Sequence, residues 1–405
     1  MKYIEGGVCA AKGFKASGLH VGVKTKNKEK KDLALIVADC ECTAAAVYTK
    51  NLVKAAPLHI TKENIKDGKA RIVFANSGNA NACAPLGEEN ALRMCTAIAS
   101  QLGMNESDVI VASTGVIGQK LPIEVVESGI KELTSNLSYT GSKDAAAAIM
   151  TTDLTMKELA VETTVAGKTV KIGGIAKGSG MIHPNMGTML AFLTTDCAIN
   201  SEMIQKALVD ATNKSFNRIS VDGDTSTNDM LTLMANGLAG NDEITKAGAE
   251  FDEFSKALNA VCIELAKMIA ADGEGATHLI TCKINGAKNE EEAETLSKSV
   301  ISSTLFKAAI FGTDANWGRV LCAMGYSGID FNPDTVNIAF ESNAGRVDVC
   351  KAGRGLPFDE EKAKKILTEH DITVDISLNS GNAECTCWGC DITYDYIKIN
   401  GDYRS

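Results

Sequence analysis

The chain has 405 residues, 45% of them apolar and 23% charged, which supplies a packed core and excludes wholesale disorder. Lys plus Arg total 41 against 51 Asp plus Glu, a formal net charge of −10, and the one basic cluster, KTKNKEKK at 24–31, is interrupted by Glu29 and reads as a solvated turn. Nucleic acid is therefore not expected as the main partner. The thirteen cysteines, an odd number spread from Cys9 to Cys390, read as reduced, buried, small apolar residues and not as a secreted disulfide frame.

At the N-terminus, MKYIEGGVCAAKGFKASG carries Glu5 and glycines where a signal peptide needs an unbroken apolar stretch, and no apolar run approaches the roughly 20 residues of a membrane span. A cytoplasmic protein with no membrane partner is the expectation. Along the chain, LALIVA (33–38), RIVFA (71–75), DVIVAST (108–114), TVKIGGIA (169–176), HLITCKI (278–284), TVNIAF (335–340) and ITVDISL (372–378) are rich in β-branched residues, some alternating with period two, and read as strands. Helices are expected where Leu92, Cys95, Ile98 and Leu102 share a face ahead of Gly103. A second should run behind Ser201 as N-cap, with Ile204, Ala207, Leu208 and Ala211 on one side. The longest is expected from Phe251 through Phe254, Leu258, Val261, Leu265 and Met268 to a stop at Gly273. Strands clustered in pairs predict an α/β protein of mixed layers (α+β character), with antiparallel or mixed sheets covered on one face by helices.

The common catalytic signatures are absent: no HExxH, no GxSxG, no Walker loop, and no strand running through GxGxxG into a helix. The histidines are far apart, and His278 in a strand-like run and His370 at a helix end read as structural. Cys385, Cys387 and Cys390 form the most metal-like pattern, but a second CxxC is lacking, and Cys385 and Cys387 on one face of a strand suit core packing. No metal is expected.

The segment GGIAKGSGMIHPNMGTMLAFLTTD (173–196) is different in kind. A strand enters a glycine-rich turn holding Lys177, passes Pro184 and Asn185, and meets Gly187-Thr188 ahead of an apolar run. Gly187 leaves its carbonyl sterically open, which suits an N-to-O acyl shift by the Thr188 hydroxyl. Hydrolysis of the resulting ester would leave Thr188 as a new N-terminus, whose α-amino group, with an ordinary pKa of about 7.7 to 8.0, can serve as base to its own hydroxyl. From residues alone, an ordinary Gly-Thr turn before a core strand is the favoured reading.

The stretch KGSGMIHPNMGTMLAFLTTD resembles the self-cleavage segment of the ornithine acetyltransferase family, the bifunctional glutamate N-acetyltransferases of arginine biosynthesis. Further blocks agree: GGVCAAKGFKASG (6–18), NSGNANAC (76–83), STGVIG (113–118), MTTD (150–153), ISVDGDTSTND (219–229), DGEGAT (272–277), FGTDANWGR (311–319) and WGCDITYDYIKINGDYRS (388–405). The resemblance implies cleavage between Gly187 and Thr188 into an N-terminal chain of 1–187 and a C-terminal chain of 188–405. Thr188 would be the nucleophile, and acetyl would pass from N2-acetylornithine to Thr188 and then to glutamate in a ping-pong cycle. It further implies an oxyanion hole at Thr114 and Gly115, and substrate contacts at Thr151, Lys177, Thr188, Glu274, Asn400 and Ser405. A two-sheet αββα layering and an α2β2 assembly of the intertwined chains are implied as well, with no cofactor beyond acetyl-CoA as an alternative acetyl donor. The family most often has Ala where Gly187 stands and often Thr where Ser405 ends the chain. Two other readings share some of these residues: an amidase or aminopeptidase using the same threonine, and a metal protein built on the three late cysteines.

Overall fold

β-Branched runs interrupted by alanine-rich amphipathic segments form sheets with helices laid on them, and the computed structural model describes residues 1–24, 29–183 and 189–402. The first half holds β1 (Lys2–Ile4), β2 (Phe14–Leu19), β3 (Leu33–Tyr48), α1 (Ala56–Asn64), β4 (Lys69–Asn79), α2 (Gly87–Leu102), β5 (Val109–Val116), α3 (Ile123–Ser135), α4 (Ser142–Ile149), β6 (Lys157–Val165) and β7 (Lys168–Lys177). The second half begins with β8 (Leu190–Thr195), α5 (Ser201–Lys214), β9 (Ile219–Ser220), β10 (Met230–Ala235), α6 (Ala249–Ala271), β11 (Leu279–Ala287), α7 (Glu290–Ser302), α8 (Thr304–Phe311) and α9 (Trp317–Gly325). It closes with β12 (Asn337–Ser342), β13 (Gly345–Lys351), β14 (Arg354–Gly355), α10 (Glu360–Leu367), β15 (Asp371–Ser377), β16 (Ala383–Cys390) and α11 (Tyr394–Asp402).

Two mixed sheets result, as the sequence leads one to expect. The larger has the order β1-β6-β7-β8-β10-β3-β4-β5, with β2 also on β3; the smaller runs β14-β13-β12-β15-β11-β16-β9. β4/β5 and β8/β10 are parallel pairs, and β7/β8 is antiparallel with Lys177 opposite Leu190. On the larger sheet, Leu33, Leu35, Phe74 and Val111 pack under α2 and α3, while Val161, Ile172, Leu193 and Leu231 pack under α5 and α6. The opposite face is lined by small residues, among them Ala16, Ala34 and Ala112, and receives Ala145, Ala146 and Ala148 of α4. That approach is close: a Cβ on Gly18 of β2 would lie 2.0 Å from the Asp144 carbonyl oxygen. The smaller sheet packs Ile280, Val374 and Cys387 under α7 to α10, and β9 and β16 meet α6 through Ile219, Trp388 and Cys390.

Three local expectations are corrected. In α2 the buried face is Ala91, Met94, Cys95 and Ile98, and Leu92 is 45% exposed, because the helix is turned so that Ala91 and Met94 face the sheet. The cap of α5 is Asn200, one residue before Ser201; its side chain accepts the Met203 amide at 2.9 Å. Lys24 does not belong to a solvated turn: it is half-buried, its stem packed against Gly78 at the end of β4. The strand expected at 33–38 also continues to Tyr48, while Gly103 closes α2 as expected, in the left-handed region at φ 66°.

Candidate active site

Parallel strands end on one side of a sheet, and the C-terminal ends of β4 and β5 are where the backbone departs from regularity. Their register slips at Gly78 and Asn79, opposite Gly115, which has φ 134°. A Cβ on Gly115 would sit 2.4 Å from the Gly78 carbonyl carbon, so only glycine fits there. The neighbouring Thr114 is buried, and its strand end is clamped from both sides. Ser113 Oγ donates to Asn76 Oδ1 at 2.6 Å, and Asn228 Nδ2 donates to the carbonyls of Ser113 at 2.8 Å and Ala80 at 2.6 Å.

Lys177, the last residue of β7, reaches this strand end. Its Nζ donates to Thr114 Oγ1 at 3.5 Å and lies 3.9 Å from the Asp153 carboxylate. Burial pushes the Lys177 pKa down, with Asp153 pulling the other way. Asp153 is itself buried between two lysines: burial opposes its charge, but Lys177 and Lys157 outweigh that and hold its carboxyl well below the usual carboxylate range. Its oxygens also accept the amides of Thr151 at 2.9 Å and Gly178 at 2.7 Å. Lys157 Nζ bridges Asp153 at 2.8 Å and Asp272 at 2.5 Å, and Asp272 accepts the amides of Leu154 at 3.1 Å and Thr155 at 3.2 Å. Every charge in this network has an opposite charge or an amide beside it, the condition under which buried ions persist.

Two residues past Asp272, Glu274 is buried against the turn that follows β7. Its amide donates to the Ser179 carbonyl at 3.0 Å, and a Cβ on Gly180 would lie 2.4 Å from its carboxyl carbon. Asn400 of α11 donates to Glu274 Oε2 at 2.8 Å. Thr114, Lys177, Gly180, Met181, Met189 and Asn228 line one small cavity. The chain on both sides of residues 184–188 is pinned beside it. The Met181 and Ile182 amides bond Asp222 at 2.5 and 2.8 Å, and the Met230 amide donates to the Met189 carbonyl at 2.9 Å. Such a site can present a cation and hydroxyl or amide donors to a developing oxyanion, with a carboxylate a short distance away for a cationic substrate group.

A model of the family described as ArgJ matches residues 15–405. The chain belongs to the ArgJ family. A Symbiobacterium thermophilum protein named arginine biosynthesis bifunctional protein ArgJ is 48% identical over 406 residues, covering all of both chains. The Geobacillus kaustophilus protein of the same name is 46% identical over 403 residues, 99% of this chain and 97% of that one. Among solved structures, the Bacillus halodurans arginine biosynthesis bifunctional protein argJ is 46% identical, covers 52% of this chain and 97% of its own, and gives a TM-score of 0.49. Ornithine acetyltransferase from Mycobacterium tuberculosis, solved with ornithine, is 36% identical over 45% of this chain and 98% of its own, with a TM-score of 0.42.

Of the residues singled out from sequence, Thr114, Gly115, Lys177, Glu274 and Asn400 come together in this ArgJ-family chain, and Thr151 joins them through its backbone bond to Asp153. Gly187, Thr188 and Ser405 lie outside the described residues. Sequence reasoning missed Asp153, Lys157, Asp272 and Asn228. Lys157 carries a readable signal, since it stands in phase with the inward-facing Val161 and Val165 of β6. Asp153, Asp272 and Asn228 lie in the blocks MTTD, DGEGAT and STND, where no spacing rule ties them to one another. The late cysteines divide between two cores: Cys385 and Cys387 pack with Ile280 and Val374, and Cys390 faces α6 with Trp388. His278 is tied to Asp391 at 2.9 Å beside the last turn before α11, a structural place.

Proposed function

We propose that this ArgJ-family chain transfers acetyl from N2-acetylornithine to glutamate through an acetyl ester on Thr188, releasing ornithine and N-acetylglutamate in arginine biosynthesis. The observation that carries the reading is the convergence of Thr114, Lys177, Glu274 and Asn400 on the turn that leads from β7 toward Gly187 and Thr188. Maturation comes first. The Thr188 hydroxyl attacks the Gly187 carbonyl, the C–N bond breaks to leave an ester and a free α-amino group, and water hydrolyses the ester to give chains 1–187 and 188–405.

In the transfer cycle the Thr188 α-amino group takes the hydroxyl proton as Oγ attacks the acetyl carbonyl. Negative charge builds on the former carbonyl oxygen, facing the Thr114 hydroxyl and Gly115 amide. Because Lys177 donates to Thr114 Oγ1, that hydroxyl's own hydrogen is left free to donate onward. The proton held by the α-amino group goes to the departing amine of ornithine, and the amine of glutamate then attacks the ester and returns Thr188 to its starting state. Glu274, oriented by Asn400, suits the side-chain ammonium of ornithine, while Lys177 suits an α-carboxylate. Ser405 and the Thr151 side chain are the remaining proposed contacts. The reading invokes no cofactor, leaves acetyl-CoA as an alternative donor, and includes an α2β2 assembly in the cytoplasm. No helix among the described residues is long and apolar enough to cross a membrane.

An assay with acetylornithine and glutamate tests the proposal. Stoichiometric ornithine and N-acetylglutamate are expected, with glutamate suppressing any free acetate. Acetate release that glutamate does not suppress would instead make the protein an amidase.

A further inference from the structure

An acceptor such as glutamate brings two carboxylates into a pocket that must also take a donor with a cationic side chain. Lys177 offers one cation, and Glu274 has the wrong sign for a second carboxylate. A second cation, Lys24, has its stem against the end of β4. Asp32, fully buried, collects the amides of Val21 at 2.7 Å, Gly22 at 3.0 Å and Lys24 at 3.2 Å, while its own carbonyl takes the Ser77 amide at 2.9 Å. Residues 21–24 are thereby fixed to the end of β4. From that anchor the Lys24 stem crosses β4 at Gly78, where a Cβ would lie 2.8 Å from Lys24 Cγ. Gly78 is the residue opposite Gly115, so the stem runs one strand away from the oxyanion-hole glycine.

The Lys24 ammonium donates to the Lys31 carbonyl at 2.5 Å and has no ion-pair partner among the described residues. Burial lowers its pKa to about 8, with Asp32 and Asp153 acting to raise it and Lys30 and Lys177 to lower it further. The charges it feels thus include Lys177 and Asp153 of the site itself.

We propose that Lys24 is a specificity-determining residue of the acceptor half-reaction, its ammonium receiving the side-chain carboxylate of an acidic amino-acid acceptor. This rests on the acetyltransferase reading above. The two side-chain charges then use different groups: the cationic donor goes to Glu274 and Asn400, and the anionic acceptor goes to Lys24. A carbonyl-bonded lysine with no carboxylate of its own can turn to a substrate carboxylate without breaking an ion pair, and the exchange gains a charge-assisted hydrogen bond.

The test separates the two half-reactions of the cleaved wild type, Lys24→Met, Lys24→Gln and Lys24→Arg. Acetylation by acetylornithine without acceptor is followed by the mass of the Thr188-bearing chain, and acceptor turnover is measured with glutamate and with glutamine, its neutral isostere. For Lys24→Met and Lys24→Gln the glutamate KM should rise about tenfold or more, the change expected for loss of one charge-assisted contact. The preference for glutamate over glutamine should collapse and the acetylation rate should stay within about twofold, with Lys24→Arg restoring the preference. An unchanged glutamate-to-glutamine ratio, or equal losses in both half-reactions, would overturn the inference alone. A wild type that forms no acetyl-enzyme would overturn the acetyltransferase reading and this inference together.

Discussion

Lys157 is among the most completely buried side chains of the molecule, and it is tolerated because Asp153 and Asp272 meet its ammonium on two sides. Removing one partner from such a set costs about 3–5 kcal/mol, since the remaining charges stay buried. Asp153→Asn should therefore destabilise the protein by about that amount in urea titration, and Lys177 should lose its neighbour at the same time. The folded-state pKa of Asp153 lies below its ordinary value of 3.8, so its contribution is fully present above that pH and is lost as pH falls further. His183 works in a different range. Burial, helped by Lys298, lowers its pKa from 6.5 to about 4, so the unfolded chain takes up a proton that the folded one refuses. Stability should drop as pH falls from about 6.5 to about 4, and His183→Asn should flatten that part of a melting-temperature profile. On the proposed oxyanion-hole reading, Thr114→Ala should lower kcat by roughly 10²- to 10³-fold with Tm nearly unchanged, the usual cost of one oxyanion donor.

At the scale of elements, α11 buries none of its residues yet presents Asn400 to Glu274. Ending the chain after Ile399 should shift Tm by no more than a few degrees, because little packing is lost. The same truncation should raise KM for acetylornithine severalfold or more, a split that steady-state kinetics beside a thermal melt would read. The three helices and seven strands read from the sequence were legible because their apolar residues recur with helical or strand spacing, whereas the shorter elements carry too few apolar residues to show a period. The full length of β3 was not legible: the register shift between Val37 and Cys42 resets its alternation, so the sequence reads as a six-residue strand where the chain continues to Tyr48. The position of Lys24 was hidden for a related reason. Its neighbours are charged, and only the buried Asp32 anchor, invisible to any local pattern, turns its stem inward. Thr114, Gly115, Lys177, Glu274 and Asn400 were legible through family-like blocks, whereas the Asp153, Lys157 and Asp272 network depends on contacts 115 residues apart.

Over the whole molecule, the boundary before Thr188 does not divide two separate cores. β8 and β10 lie between β7 and β3 in one sheet, so strands from both sides of the boundary alternate within it. Lys157, before the boundary, is paired with Asp272 after it. On the proposed cleavage, chains 1–187 and 188–405 should therefore co-elute in native size exclusion and separate only in denaturant, and chain 1–187 expressed alone should show no cooperative melt. The most direct measurement of the central claim is the intact mass of freshly purified protein under denaturing conditions, with sequencing of each N-terminus. Two chains, one beginning Thr-Met-Leu-Ala, are expected from the wild type and a single chain from Thr188→Ala. One uncut chain of 42.7 kDa from a wild type that nevertheless turns over acetylornithine and glutamate would contradict Thr188 as the unmasked nucleophile.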